Sequence, residues 1–185
     1  MKNISFAFCF LFIVTQLSFG TTYYAQGNSN PNVLANWNTL PAGGGTSPTD
    51  FTTGVGDIFQ IQTGHTMTLT GSAWTISGTG LCQIDNGATL ICSVSIFTTG
   101  LTIANGGILT ATSTVGVNNG QSGFDFIING LYRNSGSTSY GSGATGTCTA
   151  TGKMQFAPTT TAGTIPVLTW DPASTLEIVG YTTFT

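Results

Sequence analysis

Apolar and polar residues alternate along most of this chain in short runs: Phe59-Gln-Ile61, Met67-Thr-Leu69, Trp74-Thr-Ile76, Cys82-Gln-Ile84, Leu90-Ile-Cys92, Leu101-Thr-Ile103, Phe124-Asp-Phe126 and Met154-Gln-Phe156. A period of two is the signature of a strand with one face buried and one solvated. Between the runs stand Gly corners: Thr63-Gly64, Asn86-Gly87, Asn105-Gly106 and Asn129-Gly130. The segments Ile84-Asp85-Asn86-Gly87-Ala88-Thr89-Leu90 and Ile103-Ala104-Asn105-Gly106-Gly107-Ile108-Leu109 superpose at an offset of 19 residues.

Corner glycines at 64, 87, 106, 130 and 152, with Ala173 in the same place later, are spaced by 23, 19, 24, 22 and 21 residues. A repeat of about 22 residues suits three short strands and three corners stacked as one coil of a solenoid. The pattern predicts an all-β parallel β-helix of about six coils over residues 56–185. A jelly roll also has many short strands, but it gives no reason for a recurring Ile-x-Asn-Gly corner. Ile61, Ile84, Ile103 and Ile127 each precede a corner and are expected to stack as an internal row. Gly64, Gly87, Gly106 and Gly130, beside Asn86, Asn105 and Asn129, are expected to turn the chain through left-handed backbone angles.

The two ends read differently. Lys2 is followed by an apolar run over Ile4–Val14 containing four Phe, then Ser18-Phe19-Gly20. That is the layout of a secretory signal peptide, residues 1–20, cut after Gly20; the apolar run is shorter than the ~20 residues that span a bilayer. Residues 21–55 hold Tyr23, Tyr24, Trp37, three Pro and Gly43-Gly44-Gly45. They are expected to form an irregular entry segment that caps the first coil, with Tyr and Trp as an apolar lid and Pro opposing edge pairing. The alternative role for Tyr23, Tyr24 and Trp37 is a glycan-contacting platform. Tyr181–Thr185 reads as strand without a polar cap, which suggests that further coils of the same chain follow Thr185.

Composition narrows the function. Charged residues make up 5% of the chain, against an ordinary ~25%. With Lys2 gone, Arg133 and Lys153 face six acids, a net charge of −4. Two cations cannot build a phosphate-binding stripe, so neither nucleic acid nor anionic membrane is an expected partner. The 35 Thr and 26 Gly favour strands and tight turns over helix. Cys82, Cys92 and Cys148 follow the signal segment. Cys82 and Cys92 have the parity of core positions; they are either buried thiols or a Cys82–Cys92 disulfide.

Three segments carry a resemblance: Asn36–Thr52, Gly64-His-Thr-Met-Thr-Leu69 with the Asn-Gly corners, and Gly163–Gly180, which contains Leu-Thr-Trp170-Asp-Pro-Ala-Ser-Thr-Leu-Glu-Ile178. They resemble the large secreted and surface β-helix repeat proteins of Bacteroidota exported by the type IX system. The resemblance implies a right-handed parallel β-helix at the cell surface or in the medium, and it supplies no catalytic residues to transfer.

Little local chemistry is visible. A glycosidase needs two carboxylates about 5–10 Å apart, and the acids here are spread one per coil. His65 reads as a turn residue after Gly64. Calcium wants six to eight oxygens, and each candidate corner has one carboxylate. Alternating Thr at 66–70, 110–114 and 147–151 would suit an ice-binding face if the rows aligned. The expected function is a non-catalytic secreted or cell-surface, adhesin-like β-helix without cofactor or metal, with glycans or other cells as partners. The alternatives are the front segment of a carbohydrate-active enzyme or glycan-binding protein, and a Thr-rich ice-binding solenoid.

Overall fold

A computed structural model describes residues 20–53, 56–118, 125–157 and 165–179. The expected signal peptide and the segments 158–164 and 180–185 fall wholly or mainly outside those residues. The described chain is an all-β solenoid of about five turns, each built from short strands that pair in parallel with the strand one coil on.

Three sheets run along it. Sheet I contains Ile58–Ile61, Leu81–Ile84, Gly100–Ile103, Phe126–Ile128, Gly146–Cys148 and Thr169–Trp170, in that order, with Thr22–Ala25 added beside Ile58–Ile61. Sheet II contains Thr66–Leu69, Thr89–Cys92, Ile108–Ala111, Leu131–Asn134, Lys153–Phe156 and Thr175–Ile178. Sheet III contains Trp74–Thr75, Ile96–Thr98, Val115–Val117 and Thr138–Tyr140. The register Thr66↔Thr89↔Ile108↔Leu131↔Lys153↔Thr175 gives coil lengths of 23, 19, 23, 22 and 22 residues. The count is about five rather than six because the last strand pair, Thr169–Trp170 and Thr175–Ile178, has no third-sheet strand among the described residues.

Alternation does what the period of two requires. On sheet II every inward residue from Met67 to Phe156 is fully or almost fully buried, while Thr66, Thr68, Thr110, Arg133 and Gln155 point outward. Parallel in-register pairing stacks each inward position on its equivalent, so the core is a bundle of rows, for example Met67–Leu90–Leu109–Tyr132–Met154. Burying such side chains contributes about 1.5–3 kcal/mol each.

The Ile row is Ile61–Ile84–Ile103–Ile128, and all four are 0% exposed. Ile127 pairs with Thr102 and faces outward, half-buried. The reason lies in the corner. Four residues separate Ile84 from Thr89 and Ile103 from Ile108, but only Asn129 and Gly130 separate Ile128 from Leu131. The shorter corner moves the core position one residue forward.

That corner is also a different turn. Gly64, Gly87 and Gly106 have φ of +81, +70 and +81°, the left-handed values expected of them. Gly130 has no positive φ and stands in register with Gly107, not Gly106. It is glycine for space: a side chain there would run into the carbonyl oxygens of Ala104 and Gly107 in the coil below. Asn129 is tied sideways, its Oδ1 accepting from Thr149 Oγ1 at 2.8 Å and its carbonyl accepting from Thr151 Oγ1 at 2.8 Å.

The entry residues sit against the first coil. Thr22–Ala25 adds a parallel rung to sheet I, and Trp37–Asn38 pairs antiparallel to it. Asn28 Oδ1 accepts from Thr66 N at 2.7 Å, Ser29 O accepts from Thr68 N at 3.0 Å, and Asn30 Nδ2 donates to Thr70 O at 3.0 Å. Two donors and one acceptor on this edge of sheet II are thus engaged. At the other end, Leu176 and Ile178 continue the inward rows of Met154 and Phe156 but are 41 and 48% exposed.

Candidate functional site

The register assembles a polar array that linear spacing disguises. Arg133, Gln155 and Glu177 occupy the same outward position in three successive strands of sheet II. Arg133 Nε donates to Gln155 Oε1 at 2.6 Å, and Gln155 Nε2 donates to Glu177 Oε2 at 2.7 Å. Lys153, two residues before Gln155 and on the same face, reaches Glu177 Oε2 at 2.6 Å. In-register stacking spaces equivalent residues by about 4.8 Å, so identical charges would repel; cation, amide and anion in succession satisfy one another instead. The hydrogen bonds from Lys153 and Gln155, assisted by the Lys153 and Arg133 charges, hold the Glu177 carboxyl below its ordinary range.

A second array lies on sheet I. Tyr24, Gln60 and Gln83 form one outward row. Gln60 Nε2 donates to Asp85 Oδ2 at 2.6 Å and Gln83 Nε2 to Asp85 Oδ1 at 2.9 Å. The other acids are engaged too. Asp50 accepts from Thr52 N, Asp57 from Thr21 N at 2.6 Å, Asp125 from Thr145 N at 2.8 Å and Asp171 from Ala173 N at 2.8 Å. Each of the chain's six carboxylates therefore accepts a hydrogen bond that fixes a turn or joins two coils.

Among the aromatic candidates, Trp37 is 0% exposed, with Nε1 donating to Pro31 O at 2.8 Å and its ring stacked on Trp74. It is a core residue and is not available to a glycan. Tyr23 stacks on Phe59 at 5.5 Å, on the inward side, while Tyr24 is on the outward side. Adjacent strand residues point to opposite faces, so the three rings form no common platform.

Cys82, Cys92 and Cys148 are buried free thiols, and no Cys82–Cys92 disulfide is formed. They belong to apolar rows: Cys82 between Phe59 and Leu101, Cys92 between Leu69 and Ala111. Burial pushes the Cys92 thiol up to about 12 and raises Cys82 and Cys148 as well. His65 is half-buried, with Nδ1 enclosed and unpartnered among the described residues. No group of three or more His, Cys, Asp or Glu is placed to hold a metal among the described residues.

Two of the three Thr stretches meet in one row, Thr68 and Thr110 on sheet II with Ile91 between them, and the third does not join it. Thr66 and Thr68 are on sheet II, Thr147 is on sheet I, and Thr114 and Thr149 are in corners. The outward row through Thr68 reads Ile91, Thr110, Arg133, Gln155 and Glu177 in later coils.

Nothing local in the sequence marks the Arg133–Gln155–Glu177 array, because its members stand in different coils. Separation by one coil length is what puts residues side by side, and Arg133, Gln155 and Glu177 are each 22 apart. No protein family, curated protein or solved structure matches this chain.

Proposed function

We propose that this chain is a non-catalytic, secreted or cell-surface solenoid, a right-handed β-helix that serves as a stalk or adhesive element of the type IX-exported kind. The observation that carries this reading is the commitment of all six carboxylates to turns and inter-coil hydrogen bonds. A general acid or base must be free to exchange its proton with a substrate, whereas these groups tie the coils together. Residues 1–20 act as the export signal and residues 21–55 as the cap of the first coil. The capping role is supported by the engaged edge of sheet II and the seating of Trp37 on Trp74.

The test has two parts. The secreted protein should begin at Thr21 on N-terminal sequencing, and beads coated with it should adhere to cells or glycan-coated surfaces. Incubation with polysaccharides should release no reducing ends or unsaturated products. Release of either by the purified chain, abolished by Asp85→Asn or Asp125→Asn, would overturn the non-catalytic reading.

A further inference from the structure

Sheet III carries one feature that the arrays above do not use. Phe97 points outward and is 38% exposed, the most exposed aromatic ring among the described residues. Its neighbours in the outward row are Thr75, Gly116 and Ser139. Gly116 has no positive φ, so backbone conformation does not demand glycine there. Space does: a Cβ on Gly116 would fall on the Phe97 ring. The Cδ1 and Cε1 atoms of the ring lie over Gly116 of the next coil, and more than a third of the residue remains open to solvent.

Beside it lies a groove of about 180 Å3 lined by Thr75, Ile76, Ser77, Phe97, Thr98 and Asn118, among others. The Thr98 hydroxyl is spent, donating to Gly100 O at 2.9 Å. The Thr75 hydroxyl and the Asn118 carboxamide are exposed and make no side-chain hydrogen bond among the described residues. Among the described residues, no charged one lines the groove. The two cations among the described residues, Arg133 and Lys153, are on sheet II.

We infer that this groove is a subsite for one ring of a neutral glycan, with Phe97 as the stacking platform and Thr75 and Asn118 as hydrogen-bonding groups at its rim. The chemistry favours a saccharide. A sugar ring has an apolar C–H face that suits an aromatic surface and a hydroxyl edge that suits Thr and Asn. A purely apolar ligand would leave the rim groups desolvated without partners, and an anionic one would find no cation. The size fits one ring: ordinary small-molecule pockets hold about 300–1,000 Å3, so the rest of a longer glycan would lie along the sheet. The inference draws on the extracellular reading only for access to glycans.

The test is affinity electrophoresis of the purified protein through gels containing a soluble β-1,3-glucan, a β-1,4-glucan or an α-mannan, with alginate as the anionic control. At least one neutral polysaccharide should retard the protein, and alginate should not. Phe97→Ala should weaken that binding about tenfold, the scale of one aromatic contact, while Phe97→Tyr should retain it. Gly116→Val should weaken it as well, because the ring remains but is displaced from its place over Gly116; circular dichroism establishes that each variant is folded. Absence of retardation by every neutral polysaccharide, equal retardation by alginate, or wild-type binding by Phe97→Ala would overturn the assignment. The reducing-end assay would be untouched by any of these outcomes, so failure here is distinct from failure of the non-catalytic reading.

Discussion

The indole rings of Trp37 and Trp74 stack with centroids 5.5 Å apart and planes inclined by 25°. Trp37 belongs to the entry segment and Trp74 to the first coil, so this contact joins the two. Phe59 meets both rings edge-on, at 5.3 and 6.1 Å, and Phe51 packs edge-on against Trp74 at 5.7 Å. Replacing Trp37 by Ala should therefore destabilise the protein by about 3–5 kcal/mol, the cost of emptying a large aromatic site. It should also open the edges of the first strands to solvent. Urea denaturation measures the first effect and amide exchange at Thr66 and Thr68 the second. Unchanged protection at those amides would show that the entry segment does not depend on this stack.

Much of this architecture was legible because a strand's period of two and a coil's period near 22 both leave marks on a single sequence. Inward positions such as Cys82, Ile84 and Leu90 could be assigned from alternation alone, and Gly64, Gly87 and Gly106 from the turn they must make. What failed was register across the irregular corner. Asn129-Gly130 looks like Asn105-Gly106, yet it spans a shorter connection, and the difference moved Ile127 out of the core and Ile128 into it. The side-chain arrays were hidden for a related reason: partners such as Gln155 and Glu177 are neighbours only once coil lengths are known residue by residue. Nor does local pattern distinguish an exposed Trp from one buried under a neighbouring segment, which is why Trp37 was open to a glycan-binding role.

The two kinds of corner glycine should respond differently to a methyl group. Gly64 has φ of +81° and open space around its missing Cβ. Gly64→Ala should cost about 1–2 kcal/mol, the penalty of a left-handed residue with a side chain. Gly130 has ordinary φ, but the new methyl would meet the carbonyl oxygens of Ala104 and Gly107. Backbone cannot step aside without separating two coils, so Gly130→Ala should cost about 3 kcal/mol or more, at the top of the usual overpacking range. Equal effects in thermal melts would contradict the distinction.

The buried thiols give the fold an alkaline limit. The Cys92 thiol ionises at about 12 in the folded protein, against an ordinary value of 9.0, because burial penalises the thiolate; Cys82 is raised for the same reason. A group whose folded value is raised stabilises the fold fully below 9.0 and loses that contribution as the pH climbs toward about 12. The melting temperature should fall steadily above pH 9, and Cys92→Ala should flatten that slope. At pH 8 a thiol reagent should leave both residues unmodified in the native protein and label them after unfolding. Stoichiometric labelling of native protein would show that the rows around Cys82 and Cys92 are open.

The Lys153–Glu177 pair sets an opposite dependence in acid. Glu177 is held below its ordinary value of 4.5, first by hydrogen bonds from Lys153 and Gln155 and then by the Lys153 and Arg133 charges. A depressed carboxyl stabilises the folded state fully above 4.5 and loses that contribution as the pH falls through its lower folded value. Both side chains are 42% exposed, so solvent and salt screen the pair and its effect on global stability should be small. The sharper readout is local. The Glu177 carboxyl, followed by carbon-detected NMR, should titrate below 4.5 in the native protein and move up in Lys153→Met. Gln155→Leu should raise it too, because it removes a donor to Oε2 and breaks the relay from Arg133. If neither substitution moves the titration, the three residues are neighbours on a sheet face without electrostatic coupling, and the array is a consequence of register alone.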